Sequence, residues 1–92
     1  HANARRLAFG LAEIPGMRLS PETVESNILF FDALDANDQP QNLAFIQAAA
    51  SAGVLFSTGD RGGIRAVTHY GIGEAEIDRT LEICRSVTTA RG

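Results

Sequence analysis

The sequence predicts an α+β domain: a small, mostly antiparallel sheet with helices packed on one side. Three observations carry that expectation. Apolar residues recur at three- and four-residue steps in three separate stretches, which marks amphipathic helices. Between those stretches lie short apolar runs bounded by turn residues, which mark strands. The order is helix, two extended pieces, helix, two strands, helix, and such tightly connected strands favour antiparallel pairing. The 92 residues suffice for one domain and one modest core.

Residues 2–14 are expected to form the first helix, with Ala4, Leu7, Ala8, Leu11 and Ile14 on one stripe. Pro15-Gly16 ends it, because proline cannot continue the ladder and glycine accepts a left-handed cap. Met17 to Leu19 is a short extended piece, and Ser20-Pro21-Glu22 is a turn. Thr23 to Ala33 is the strongest strand. Its centre, Ile28-Leu29-Phe30-Phe31, is apolar without alternation. A strand with one wet face should alternate, so both faces are expected to be covered, the second by something outside this chain or by another subunit. Asp35 to Pro40 is a polar loop that lacks the glycine and distal glutamate of an EF-hand.

Asn42 to Ala52 is the second helix, with Leu43, Ile46, Ala49 and Ala50 expected to face inward and Gly53 as its cap. Val54-Leu55-Phe56-Ser57 reads as a buried strand. The turn Thr58-Gly59-Asp60-Arg61-Gly62-Gly63 lacks the Lys-Ser/Thr of a phosphate loop and joins strand to strand, so a hairpin connection is expected. Ile64 to His69 is the last strand. Glu74 to about Thr88 is the final helix, with Ile77, Leu81, Cys84 and Val87 on its apolar stripe. Glu74, Glu76 and Asp78 suit the positive end of its dipole, and Arg85 suits the other end.

Composition narrows the function classes. A net charge of -3 and a pI near 5.2 argue against nucleic acid or an anionic membrane as partner. No apolar run approaches the roughly 18 residues a membrane helix needs. His1 to Arg6 has no apolar signal core, so a cytoplasmic protein is expected. The single cysteine, Cys84, cannot make an internal disulfide and reads as a core residue, and no Cys/His cluster has metal spacing. All eight basic side chains are arginine. Without lysine, no mechanism that needs a lysine amine can be completed within these residues.

One stretch speaks of chemistry. Arg65 alternates with Ile64 and Ala66. If those two face the helices, Arg65, Val67 and His69 share the opposite face. A guanidinium there suits bidentate recognition of a carboxylate in a partly dry site. The plainer reading is a surface arginine, or one paired with Asp32 or Asp60. His69 reads either as a base or ligand, or as a strand-end histidine bonded to local backbone. Thr68 and Tyr70 could offer hydroxyls, but the sequence assigns them no task.

The run Ile64-Arg65-Ala66-Val67-Thr68-His69, followed by Glu76-Ile77-Asp78, resembles the carboxyl-terminal signature of threonine aldolases. Other stretches are similar too: Ala4-Arg5-Arg6-Leu7-Ala8 with Gly10-Leu11-Ala12, the long run from Pro21 to Phe31, and Ala52-Gly53-Val54-Leu55-Phe56. The likeness covers nearly the whole chain, and Arg65-x-Val67-Thr68-His69 is its most specific part. Gly71 stands where the family often has Asp, and Gly73 where it often has Ser or Thr; glycine is a passable N-cap.

The resemblance implies that residues 1–92 are the carboxyl-terminal small domain of a pyridoxal 5'-phosphate enzyme of the aspartate-aminotransferase type. Such an enzyme is a lyase that cleaves β-hydroxy-α-amino acids such as threonine to glycine and an aldehyde. It implies that the cofactor and its lysine belong to a large amino-terminal domain absent from these residues, and that the fragment alone is inactive. It implies a small-molecule amino acid substrate, a homo-oligomer (a tetramer in the full-length enzyme), and Arg65 as the residue that binds the substrate's α-carboxylate. A related pyridoxal-phosphate β-eliminating lyase and a stand-alone α+β binding or oligomerisation module are the alternatives.

Overall fold

The computed structural model describes residues 2–20, 24, 27–59, 63–68 and 73–91, with side chains through 88. Helix α1 spans Ala2–Ala12, strand β1 Met17–Arg18, strand β2 Ile28–Ala33, helix α2 Asn42–Ser51, strand β3 Ser57–Thr58, strand β4 Ile64–Val67 and helix α3 Glu74–Arg91. The strands form one antiparallel sheet in the order β1-β2-β4-β3. This is the α+β architecture the sequence predicts.

The helices take one side of the sheet. Leu29, Phe31 and Ala33 of β2 and Ile64 and Ala66 of β4 point into that side and are buried. Against them lie Leu7, Ala8 and Leu11 of α1, Phe45 and Ala49 of α2, and Ile77, Leu81 and Cys84 of α3. Phe31 meets Phe45 and Phe56 edge-on, at 6.0 and 5.6 Å between ring centres, a favourable aromatic geometry. The stripes expected on α1 and α3 are buried, including Ile14 just beyond the end of α1, except that Val87 is only partly buried against the core.

The helix and strand ends are set by local chemistry. Gly16, at φ +90, turns the chain out of α1, and a Cβ there would lie 3.1 Å from the Leu34 carbonyl oxygen. Conformation and close approach therefore both require glycine at that point. The Leu34 N–H donates to the Gly16 carbonyl at 2.7 Å, beside the β1–β2 pairing of Met17 with Ala33. In the loop after β2, the Asp35 carboxylate accepts the N–H groups of Asn37 and Gln39, at 2.8 and 3.0 Å, and so folds the loop on itself. Asn42 ties the start of α2 to the end of β2: its carbonyl accepts the Ala33 N–H at 2.8 Å, and its amide donates to Asp32 at 2.9 Å.

Three expectations are corrected. The inward face of α2 is built on Phe45 and Ala49, whereas Leu43 is 66% exposed and Ala50 is exposed too. Phe45 decides the rotation, because its ring completes the aromatic cluster with Phe31 and Phe56. Val54-Leu55-Phe56 is not a strand, and Leu55 is 86% exposed; β3 consists of Ser57 and Thr58 alone. β2 begins at Ile28, and Val24 and Asn27 of the expected strand from Thr23 are not part of it, while Thr23, Glu25 and Ser26 lie outside the described residues. Among the described residues, no helix is long and apolar enough to cross a membrane.

Candidate functional site

The side of the sheet away from the helices is open. Period-two alternation puts Ile28, Phe30 and Asp32 of β2 there, with Arg65 and Val67 of β4, because their neighbours in sequence are the buried ones. The register makes Phe30 the direct cross-strand partner of Arg65, and Ile28 that of Val67. On its other side Arg65 is paired with Ser57 of β3. Phe30 is 58% exposed and Val67 37%. The centre of this face is thus an apolar floor with one guanidinium standing in it.

The placement of Arg65 opposite Ile64 and Ala66 is as the alternation predicts. Arg65 is exposed, as the plainer reading of a surface arginine has it. Its pairing with Asp32 does not occur, and Asp60, the other partner that reading allows, lies outside the described residues. Asp32 is already engaged: Asn42 donates to its Oδ1 at 2.9 Å, and Arg18 to its Oδ2 at 2.9 Å. Those two contacts, the Asn42 hydrogen bond first, hold the Asp32 carboxyl below the usual carboxylate range. Among the described residues Arg65 has no hydrogen-bond or ion-pair partner from its side chain. Among the described residues none engages its five N–H donors, which suit a planar, bidentate anion.

Thr68 is not a site hydroxyl. It is buried, and both its backbone N–H and its Oγ1 donate to the Asn27 carbonyl, at 2.8 and 3.2 Å, closing the end of β4 onto the start of β2. His69, Tyr70 and Asp60 lie outside the described residues. Cys84 is fully buried, and burial pushes its thiol up to about 12, which leaves it without thiolate reactivity near neutrality. A crevice of about 270 Å³ at the end of β4 is lined mainly by Leu7, Val54, Phe56, Ala66 and Ile77. The acid at its edge, Glu76, accepts the Gly73 N–H at 3.1 Å and so caps α3. Among the described residues no group of three or more His, Cys, Asp or Glu is placed to hold a metal ion.

The residue the sequence did not single out is Phe30. The signal for it was present: in Leu29-Phe30-Phe31 the middle residue is apolar but out of phase with its buried neighbours. What the sequence could not supply was the register that sets this ring beside Arg65.

No family model matches this chain, and no curated protein matches it in sequence.

Proposed function

We propose that these residues form the carboxyl-terminal small domain of a pyridoxal-phosphate-dependent threonine aldolase, in which Arg65 binds the substrate's α-carboxylate. The observation that carries this reading is the guanidinium of Arg65, exposed and unpartnered among the described residues, in the middle of an apolar sheet face. A stand-alone binding module of this size should turn its largest apolar side chains inward. Phe30 points outward, which favours a face completed by another domain or subunit; the enzyme so completed would be an oligomeric, cytoplasmic one.

No residue of this chain fits the cofactor's Schiff-base linkage, because the sequence contains no lysine. The lysine and the phosphate contacts would come from the large domain. When bound, pyridoxal phosphate supplies an electron sink for the pair released as the Cα–Cβ bond breaks. The task left to Arg65 is orientation. A carboxylate held by two parallel N–H···O contacts cannot rotate freely, so Arg65 would fix the torsion about Cα of the bound amino acid. A related β-eliminating lyase would need the same clamp. Analysis of products separates the two, since the aldolase alone releases glycine and an aldehyde.

Arg65→Ala in the intact enzyme tests the assignment. It is expected to lower kcat/KM for β-hydroxy-α-amino acids by about 2–4 kcal/mol in barrier, while cofactor absorbance stays unchanged. Arg65→Lys should recover only part of the loss, because an ammonium is a point charge without the planar fork. Unchanged kinetics in Arg65→Ala would remove the residue from the site.

A further inference from the structure

Resting on the reading above, in which Arg65 holds the α-carboxylate, we infer that Phe30 forms the floor of the subsite for the substrate's β-substituent. The enzyme accordingly favours β-hydroxy-α-amino acids with a large apolar or aromatic β-substituent over those with a methyl group.

The register places Phe30 directly across from Arg65. Such partners have Cα atoms about 4.5–5.5 Å apart and side chains on the same face. The Phe30 ring is 58% exposed, yet it is seated. It leans over Gly59, where a Cβ would lie 3.1 Å from its Cε1 and 3.2 Å from its Cδ1. The φ of Gly59 is outside the left-handed region, so the backbone there would accept any residue. A Cβ at Gly59 would also lie 3.4 Å from the Gly63 carbonyl oxygen, so a side chain there would require the aromatic ring to shift by a few tenths of an ångström. The shelf is itself fixed, because the Gly59 N–H donates to the Gly63 carbonyl at 2.6 Å.

An α-amino acid held at the guanidinium places its β-carbon two bonds from the carboxylate carbon. The substituent on that carbon therefore falls within reach of a residue one strand over. On that strand Phe30 offers a flat apolar surface, and Ile28 and Val67 continue it along the sheet. A methyl group covers little of such a floor, whereas a phenyl or branched alkyl group covers much more and gains accordingly.

The test uses the intact, cofactor-loaded enzyme with Phe30→Ala and Gly59→Ala. Turnover of threonine is compared with that of β-phenylserine, and calorimetry gives Kd for alanine and phenylalanine, which lack the hydroxyl and are not cleaved. Phe30→Ala is expected to lower kcat/KM about tenfold more for β-phenylserine than for threonine, and to weaken phenylalanine about tenfold more than alanine. Gly59→Ala keeps the ring but lifts it, and should move both ratios in the same direction. Equal losses for both substrates, together with a lower Tm, would make Phe30 a packing residue and overturn the inference while leaving Arg65 in its role. A wild-type enzyme that cleaves no β-hydroxy-α-amino acid would remove the aldolase reading, and this inference with it.

Discussion

Phe30 and Phe31 are consecutive residues of one strand, chemically identical, and they do different work. Phe31 is 3% exposed and meets two other rings edge-on. Phe30 is 58% exposed and lies over a glycine beside an arginine without a described partner. A period of two assigns them to opposite faces of the sheet, and the faces differ in everything that follows. The helix face is closed, apolar and aromatic at its centre. The open face mixes an apolar floor with one arginine that has no partner among the described residues, a combination that folding alone does not need. Stability is therefore concentrated on one side of β2, and candidate chemistry on the other.

The largest expected effect tests that division directly. Phe31→Ala removes a buried ring from a cluster of three and should cost about 3–5 kcal/mol, much of what a domain this small has. Phe30→Ala, one residue away, should cost less than about 1 kcal/mol, because its ring is already largely in water. Urea unfolding of the two variants measures the difference. Measured on these 92 residues alone, equal costs would mean that the open face is covered by self-association, and the contrast between the faces would fail.

A smaller effect probes how tightly the helix layer is closed. Gly10 of α1 sits against Leu81 of α3, and a Cβ at Gly10 would lie 2.4 Å from the Leu81 Cδ1. Alanine normally favours a helix over glycine by up to about 1 kcal/mol. Here the collision should outweigh that gain, because Leu81 is 6% exposed and has little room to retreat. Gly10→Ala is expected to destabilise by about 1–3 kcal/mol in thermal or urea unfolding. A stabilised variant would show that α1 and α3 slide past each other readily, and that the closed face is softer than its burial implies.

Much of this contrast was legible in the sequence. The stripes Ala4-Leu7-Ala8-Leu11 and Ile77-Leu81-Cys84 name their buried faces correctly, because long amphipathic helices repeat the signal over several turns. Arg65 between Ile64 and Ala66 names the open face for the same reason. The short helix α2 misled: apolar residues surround it, and Phe45 rather than Leu43 turns inward because of aromatic partners far away in sequence. Val54-Leu55-Phe56 misled as well, since a short apolar run carries no period and Leu55 stands in solvent. The strand order was not legible, because β2 pairs with β4 across an intervening helix and another strand. Half the site depends on that pairing: Arg65 is visible in the chain, and its neighbour Phe30 only in the sheet.

The smallest effect concerns the acid that the open face keeps away from Arg65. Asp32 accepts hydrogen bonds from Asn42 and Arg18, and its carboxyl is held below its usual value, chiefly by Asn42. A depressed folded value means that these contacts stabilise the domain above the unfolded pKa of about 3.9, and that the contribution is lost as pH falls through that value toward the lower folded one. Asp32→Asn should therefore cost less than about 1 kcal/mol at neutral pH, and the difference from wild type should vanish in strong acid. Arg18→Ala separates the two donors. The Arg18 side chain is 59% exposed, so its ion pair is screened by water, and its loss should reduce the pH-dependent term without abolishing it. If Arg18→Ala flattens the acid limb completely, the salt bridge outweighs the Asn42 hydrogen bond. Asp32 would then be an anion held chiefly by one exposed arginine, and in its absence free to compete for Arg65.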